Sequence, residues 1–346
     1  MLHHSSRKTW LYRLILLGSS TILALLGFET VARIFFPDSG FRAARQMSEF
    51  RDWDQSRRDV YTIDERMGYR PRLGSATYSE YGTYRNVYPL EKRKGVSRVL
   101  FAGDSVTARA RIVTALHEAY GDKEYEYWNA GVEGYNTIQE LAYYKLFNYK
   151  INPDHVVLEF HLNDFETTPV TFLNKDGEPV LYAPNCPARE INRFWFQHLR
   201  LYRLYVGVSA RGDASFARIA SEVKEALNEF RELAKPARFT VVIFPILKPK
   251  QQWSRDETRA YTTIKAILQE LAIRSFDLRP LAEAAADEGI NLRESPNDIW
   301  HPSDEFARYI ARRLKRGRVL EGDRIDDVLG KGTEADLATN KENAKH

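Results

Sequence analysis

The chain holds a single cysteine, Cys186, among its 346 residues. One thiol excludes an intrachain disulfide and a cysteine-built metal cluster, and its place deep in the chain excludes a lipid-modified N-terminal cysteine. Charge of either sign is not in excess: Lys and Arg number 51 against 47 Asp and Glu, and the two signs interleave. A nucleic-acid footprint needs basic residues gathered on one face, so that class is set aside. Internal repeats are missing. Long apolar runs are nearly missing too, with one exception at 14–28 (LILLGSSTILALLGF).

That run is shorter than the ~20 residues that span a bilayer. Apolar character resumes beyond Glu29 at Ile34, Phe35 and Phe36, while Arg7, Lys8 and Arg13 precede the run with Trp10 and Tyr12 at its edge. No small-x-small cleavage site follows, so the expectation is a retained, single-pass signal anchor in the cell membrane. Its basic side stays cytoplasmic and the rest of the chain lies in the periplasm or outside the cell. Arg33, Arg42 and Arg45 on the far side work against that orientation.

Beyond the anchor, 37–93 reads as a linker and irregular extension docked by its tyrosines. From 94 the texture becomes short apolar runs alternating with helical periodicity. Expected strands are 98–102, 124–128, 155–160, 239–244 and 274–278; amphipathic patterns include Ile138, Leu141, Tyr144 and, later, Phe216, Ile219, Val223, Leu227 and Phe230. This order predicts an α/β domain over 94–317 with a doubly wound, mainly parallel sheet of about five strands. An insertion at 165–212 carries a hairpin turning at Asp176-Gly177 and one aromatic helix in INRFWFQHLRLYRLY; it is either packed decoration or a cover over the site. The segment 318–346 is polar and reads as a disordered tail.

Chemistry concentrates at strand ends. Gly103-Asp104-Ser105 follows the run 96–102 (VSRVLFA), and Asp298 and His301 stand three apart in NDIWHPS. A serine, a histidine and a carboxylate supply a nucleophile, a base and an orienting group for acyl transfer. Gly-x-Ser-x-Gly, the α/β-hydrolase signature, is lacking, because Thr107 holds its last position. Between the two ends lie NAGVEGYNT (129–137) and FHLNDF (160–165), each after an expected strand. With Ser105, Gly131, Asn163 and the Asp298/His301 pair in this order, the chain resembles the SGNH (GDSL-type) hydrolase family over roughly 96–314.

The resemblance implies a flavodoxin-like SGNH fold, Ser105 as nucleophile, His301 as base and Asp298 as its orienting partner. It implies an oxyanion hole from the N–H groups of Ser105 and Gly131 and the amide of Asn163. No cofactor and no metal are implied. One departure is His161, where the family has glycine: the ring is a candidate for lining the pocket, with packing around the strand end as the plainer reading and a base as a third. Asp104 and Asp164 are assigned to capping rather than chemistry. The leading expectation is a membrane-anchored serine esterase or acyltransferase on an O-acyl group, chiefly O-acetyl of an envelope or extracellular carbohydrate, working with a membrane-bound acyltransferase partner if it transfers. A lipase or phospholipid esterase, and a non-catalytic polysaccharide-binding or assembly protein, are the alternatives.

Overall fold

A computed structural model describes residues 4–35, 60–173, 179–182, 187–209, 213–317 and 319–320. In chain order its main elements are α1 (His4–Phe35), β1 (Tyr61–Asp64), β2 (Gly68–Pro71), β3 (Ser97–Ala102), α2 (Ser105–Ala108), α3 (Arg111–Tyr120), β4 (Tyr125–Asn129), α4 (Thr137–Leu146) and β5 (His155–Phe160). There follow β6 (Val170–Leu173), β7 (Pro179–Tyr182), α5 (Arg193–His198), α6 (Arg200–Ser209), α7 (Asp213–Ala234), β8 (Arg238–Ile243), α8 (Arg255–Glu270), β9 (Ser275–Asp277), α9 (Arg279–Asp287) and α10 (Asp304–Arg316). They form two compact units, Met1–Trp53 with Pro169–Arg218, and Asp54–Thr168 with Ile219–His346.

The larger unit is an α/β layer structure whose five strands run parallel in the order β4-β3-β5-β8-β9. Counted along the chain this is 2-1-3-4-5, the flavodoxin-like order. Every residue of β4 and β5 is buried; β5 is accordingly mostly apolar, and β4 buries Glu126 against Arg98. Helix starts are written in the sequence: Asn136 with Gln139 and Ser254 with Glu257 close capping boxes on α4 and α8, and Ser303 caps α10. Phe306, Ile310 and Leu314 of α10 pack into one core with Val113 and Leu116 of α3. The expected strands all form, within one residue at each end.

Two expectations change. The extension is not irregular where described: β1 and β2 pair antiparallel, and Tyr69 and Tyr78 send their hydroxyls to the carbonyls of Glu133 (2.5 Å) and Gly131 (3.1 Å). Its apolar residues are spaced too irregularly for a period, and it holds on through phenols instead. Of the expected tail, Val319 and Leu320 are buried in the core with α10, and 318 and 321–346 lie outside the described residues, as do 36–59 and Cys186.

In the smaller unit β6 and β7 pair antiparallel, with the turn at 174–178 outside the described residues. Val170, Tyr182, Ile191, Phe196 and Val206 make a small core of their own. The single aromatic helix expected here is two, α5 and α6, broken at an extended Leu199. α1 is one continuous helix, and its stretch Thr9–Phe35, 27 residues, is long and apolar enough to cross a membrane. It passes through Glu29 unbroken, and Arg33, one turn on, pairs with that carboxylate at 2.7 Å.

Arg98 locks the edge of the large sheet. It is 1% exposed; its guanidinium donates to Glu126 Oε2 (2.7 Å) and to the carbonyls of Leu90 (3.0 Å) and Ile151 (2.6 Å), and lies over the Trp128 ring. Burial alone would raise Glu126, but hydrogen bonds from Trp128, Arg93 and Arg98 hold it below the usual carboxylate range. Removing one partner of such a pair strands the other charge. Arg98→Ala is therefore expected to lower the unfolding free energy by about 3–5 kcal/mol in denaturant titration; a loss below about 1 kcal/mol would show that the pair does not hold the edge.

Candidate active site

Three adjacent strands, β4, β3 and β5, deliver their carboxyl ends to one place, where the order of the sheet reverses. β3 leads into Gly103, where a Cβ would come within 2.4 Å of Thr107 Oγ1 and 2.7 Å of Glu159 Oε2, so no larger residue fits the turn. Asp104 caps α2 by accepting the Val106 N–H at 2.8 Å, which turns Ser105 out at the first position of that helix. The Ser105 N–H has no acceptor among the described residues.

His301 reaches Ser105 from the loop ahead of α10. Its Nε2 lies 2.9 Å from Ser105 Oγ and its Nδ1 lies 2.8 Å from Asp298 Oδ2. With the proton on Nδ1, the ring donates to Asp298 and accepts from the serine, the arrangement a general base needs. The other oxygen, Asp298 Oδ1, accepts the N–H groups of Trp300 and His301, both at 3.0 Å. Burial works to raise Asp298, yet these hydrogen bonds and the His301 ring outweigh it, so its pKa is lowered and it stays ionised. Arg109 Nη1 stands 3.7 Å from Asp298 Oδ2 and also pairs with Glu294.

Asn163 follows β5. Its amide is held at both ends: Oδ1 accepts from His161 Nδ1 (2.9 Å) and Nδ2 donates to Asp104 Oδ2 (3.0 Å). One amide proton remains for an incoming oxygen. His161 is 1% exposed and packs against Trp300 and Phe244, so its ring lines no open surface; the Asp104 carboxylate fixes which way the Asn163 amide points, and the His161 ring holds that amide in place. Burial lowers its pKa and keeps it neutral, as donation to Oδ1 from one nitrogen requires only the neutral ring.

Gly131 departs from expectation. Its N–H is engaged by Asn129 Oδ1 at 2.9 Å rather than left open, and Asn129 Nδ2 ties to Thr107 O at 2.8 Å. Glycine is needed there because a Cβ would lie 2.4 Å from Ala108 N: the loop presses backbone to backbone on α2. Asn129 went unnoticed in the sequence, although a buried asparagine ending an apolar strand is a signal for such a tie. Among the described residues, Glu294, Asp298 and His301 bring ligand atoms within 4.8 Å of one another, as a metal would require. Those atoms are committed, Glu294 to Arg109 and Arg111 and the other two to each other.

Beneath the site lie four buried acids, Asp104, Glu140, Glu159 and Asp164. Asp104 caps α2, and Asp164 accepts the His161 N–H at 3.2 Å, the capping roles expected of both. Burial first, and then repulsion from one another, pushes Glu140, Glu159 and Asp164 well above the usual carboxylate range.

No family model matches the sequence, and no curated protein matches it. Solved structures similar to it include the acetylxylan esterase Axe2 of Geobacillus stearothermophilus, at 18% identity and a TM-score of 0.42, with 65% of this chain and 95% of that one covered. A member of the lipolytic G-D-S-L family from Veillonella parvula is similar at 14% identity and TM-score 0.40 over 64% and 97% of the two chains. LAE5, an α/β hydrolase enzyme from the Lake Arreo metagenome, is similar at 14% and 0.41 over 62% and 91%. At these values neither activity nor substrate passes from those proteins to this one.

The acids set a pH dependence of stability. Glu140, Glu159 and Asp164 each keep a proton in the folded state to higher pH than in the unfolded chain, so above about pH 4.5 the folded state binds more protons and stability falls as pH rises. Melting temperature is expected to drop from pH 5 to pH 8, with a shallower slope in Glu140→Gln. Parallel slopes in the two proteins would show that Glu140 binds no extra proton on folding.

Proposed function

We propose that the protein is a serine-dependent esterase or acyltransferase acting on O-acyl esters, with O-acetyl groups on envelope or extracellular carbohydrate as its substrate class. The observation that carries this reading is the continuous chain from Ser105 Oγ through His301 to Asp298, at 2.9 and 2.8 Å. Ser105 attacks the ester carbonyl while His301 Nε2 takes its proton. Asp298 holds the ring in the useful tautomer and stabilises the imidazolium. The Ser105 N–H and the spare Asn163 amide proton receive the oxyanion; the Gly131 N–H joins them only by leaving Asn129. His301 then protonates the departing alcohol, and water or a second alcohol, activated by the same ring, resolves the acyl-enzyme.

The carbohydrate and the location rest on α1. A helix able to span the membrane, with Arg7, Lys8 and Arg13 at its start, favours an outward-facing site anchored at the cell surface. If the acyl group comes from within, a membrane-bound acyltransferase would hand it over, and the reaction is a transfer rather than a hydrolysis. Incubating the full chain with acetylated sugars and with aryl esters of increasing chain length tests the substrate: acetate release should exceed turnover of long acyl chains. The reverse preference would point to a lipase, and no turnover at all to a non-catalytic role.

Ser105→Ala is expected to reduce turnover about 10⁴-fold or more with an unchanged circular dichroism spectrum, and adding His301→Ala should cost little further, since the pair acts as a unit. Asn163→Ala should lower kcat by about 10²- to 10³-fold with KM little changed. His161→Gly should lower kcat by about tenfold, through the freed amide, and should have no further effect in an Asn163→Ala background. A His161 effect that persists there would give the ring a role of its own.

A further inference from the structure

The break between α5 and α6 exposes helix ends that must be satisfied, and α1 together with Arg203 of α6 satisfies them. Glu29 accepts the N–H groups of Arg200 and Leu201, each at 2.9 Å, at the start of α6. Arg33 donates to the carbonyl of His198 (2.7 Å), and Arg203 donates to those of Phe196 and Gln197 at the end of α5. An acid thus meets the positive helix end and cations meet the negative one. Each of these named groups has a protein partner, the condition under which broken helices persist at membrane depth.

The height of this elbow along α1 follows from the same contacts. From Trp10 to Phe28 the helix rises about 27 Å, close to the ~30 Å of a hydrocarbon core. Glu29, the next residue, then lies at the outer headgroup level, and with it the start of α6. On α5, just before the elbow, Phe194 is 62% and Trp195 46% exposed, and Phe194 packs on both Trp195 and His198 to form one outward aromatic cluster. Phe196 between them points the other way, into the small core. Aromatic rings of this kind, above all tryptophan, settle at the membrane interface.

We propose that the α5–α6 elbow is an interfacial membrane element, seated by Glu29 beside the anchor, with Phe194 and Trp195 inserted in the outer leaflet of the bilayer. The partner is a lipid surface. The elbow is thereby held at the membrane by its own rings as well as through α1. This rests on α1 spanning the bilayer, and the experiment separates the two.

Full-length protein in nanodiscs, with Cys186→Ser, carries a nitroxide at Phe194→Cys, Ile22→Cys or Leu233→Cys. Position 194 is expected to respond more to oxygen than to a nickel chelate, as position 22 does, and position 233 the reverse. A water-like response at 194 with a lipid-like one at 22 overturns the interfacial element alone; water-like responses at both overturn the spanning reading and the element with it. In protein without labels, brominated lipid should quench a share of the tryptophan emission that is lost in Trp195→Phe. Equal quenching of the two would contradict the proposal.

Discussion

The imidazole of His301 joins parts of the chain 196 residues apart, and the rest of the site is arranged so that it can. Its reach is fixed at one end by Asp298 and by the short path from that loop into α10, and at the other by the place where β3 stops. Moving either by an ångström would open the bond to Ser105. The glycines at 103 and 131 let α2 settle between Glu159 and the loop after β4, and α3 and α10 share one core close by. Packing of ordinary apolar residues thus sets the position of three polar ones.

Behind the serine a second line of polar contacts runs from His161 through Asn163 to Asp104 and the α2 N–H groups. A buried amide could rotate and offer its carbonyl where a donor is needed. Here the Asp104 carboxylate accepts only from the amine side, which turns the carbonyl side to the His161 ring. Glu140, Glu159 and Asp164 beneath are costly as anions, so they keep their protons. Those three thereby add no full charge that would repel a developing oxyanion.

The sheet was legible in the sequence because its strands are short runs rich in apolar, β-branched and aromatic residues set between helical patterns, and Ser105, Asn163, Asp298 and His301 were legible because each stands in a polar motif at the end of such a run or at the entrance to a helix. What escaped detection depends on partners far away in the chain. Asn129 takes up the Gly131 N–H, so an open donor read from a glycine is not open. Leu199 breaks a helix that looks continuous by periodicity, since Glu29, 171 residues before Arg200, satisfies the new N-terminus. The β1–β2 segment hides because tyrosine hydroxyls, which have no period, do its docking.

The central claim is that Ser105 is the nucleophile, and covalent labelling tests it most directly. The full-length protein would be treated with a fluorophosphonate, which needs an activated hydroxyl, and the adduct located by peptide mass spectrometry. One adduct per chain on Ser105, abolished by His301→Ala, is the predicted result. An adduct on another residue, or none from a protein that still turns over esters, would contradict it.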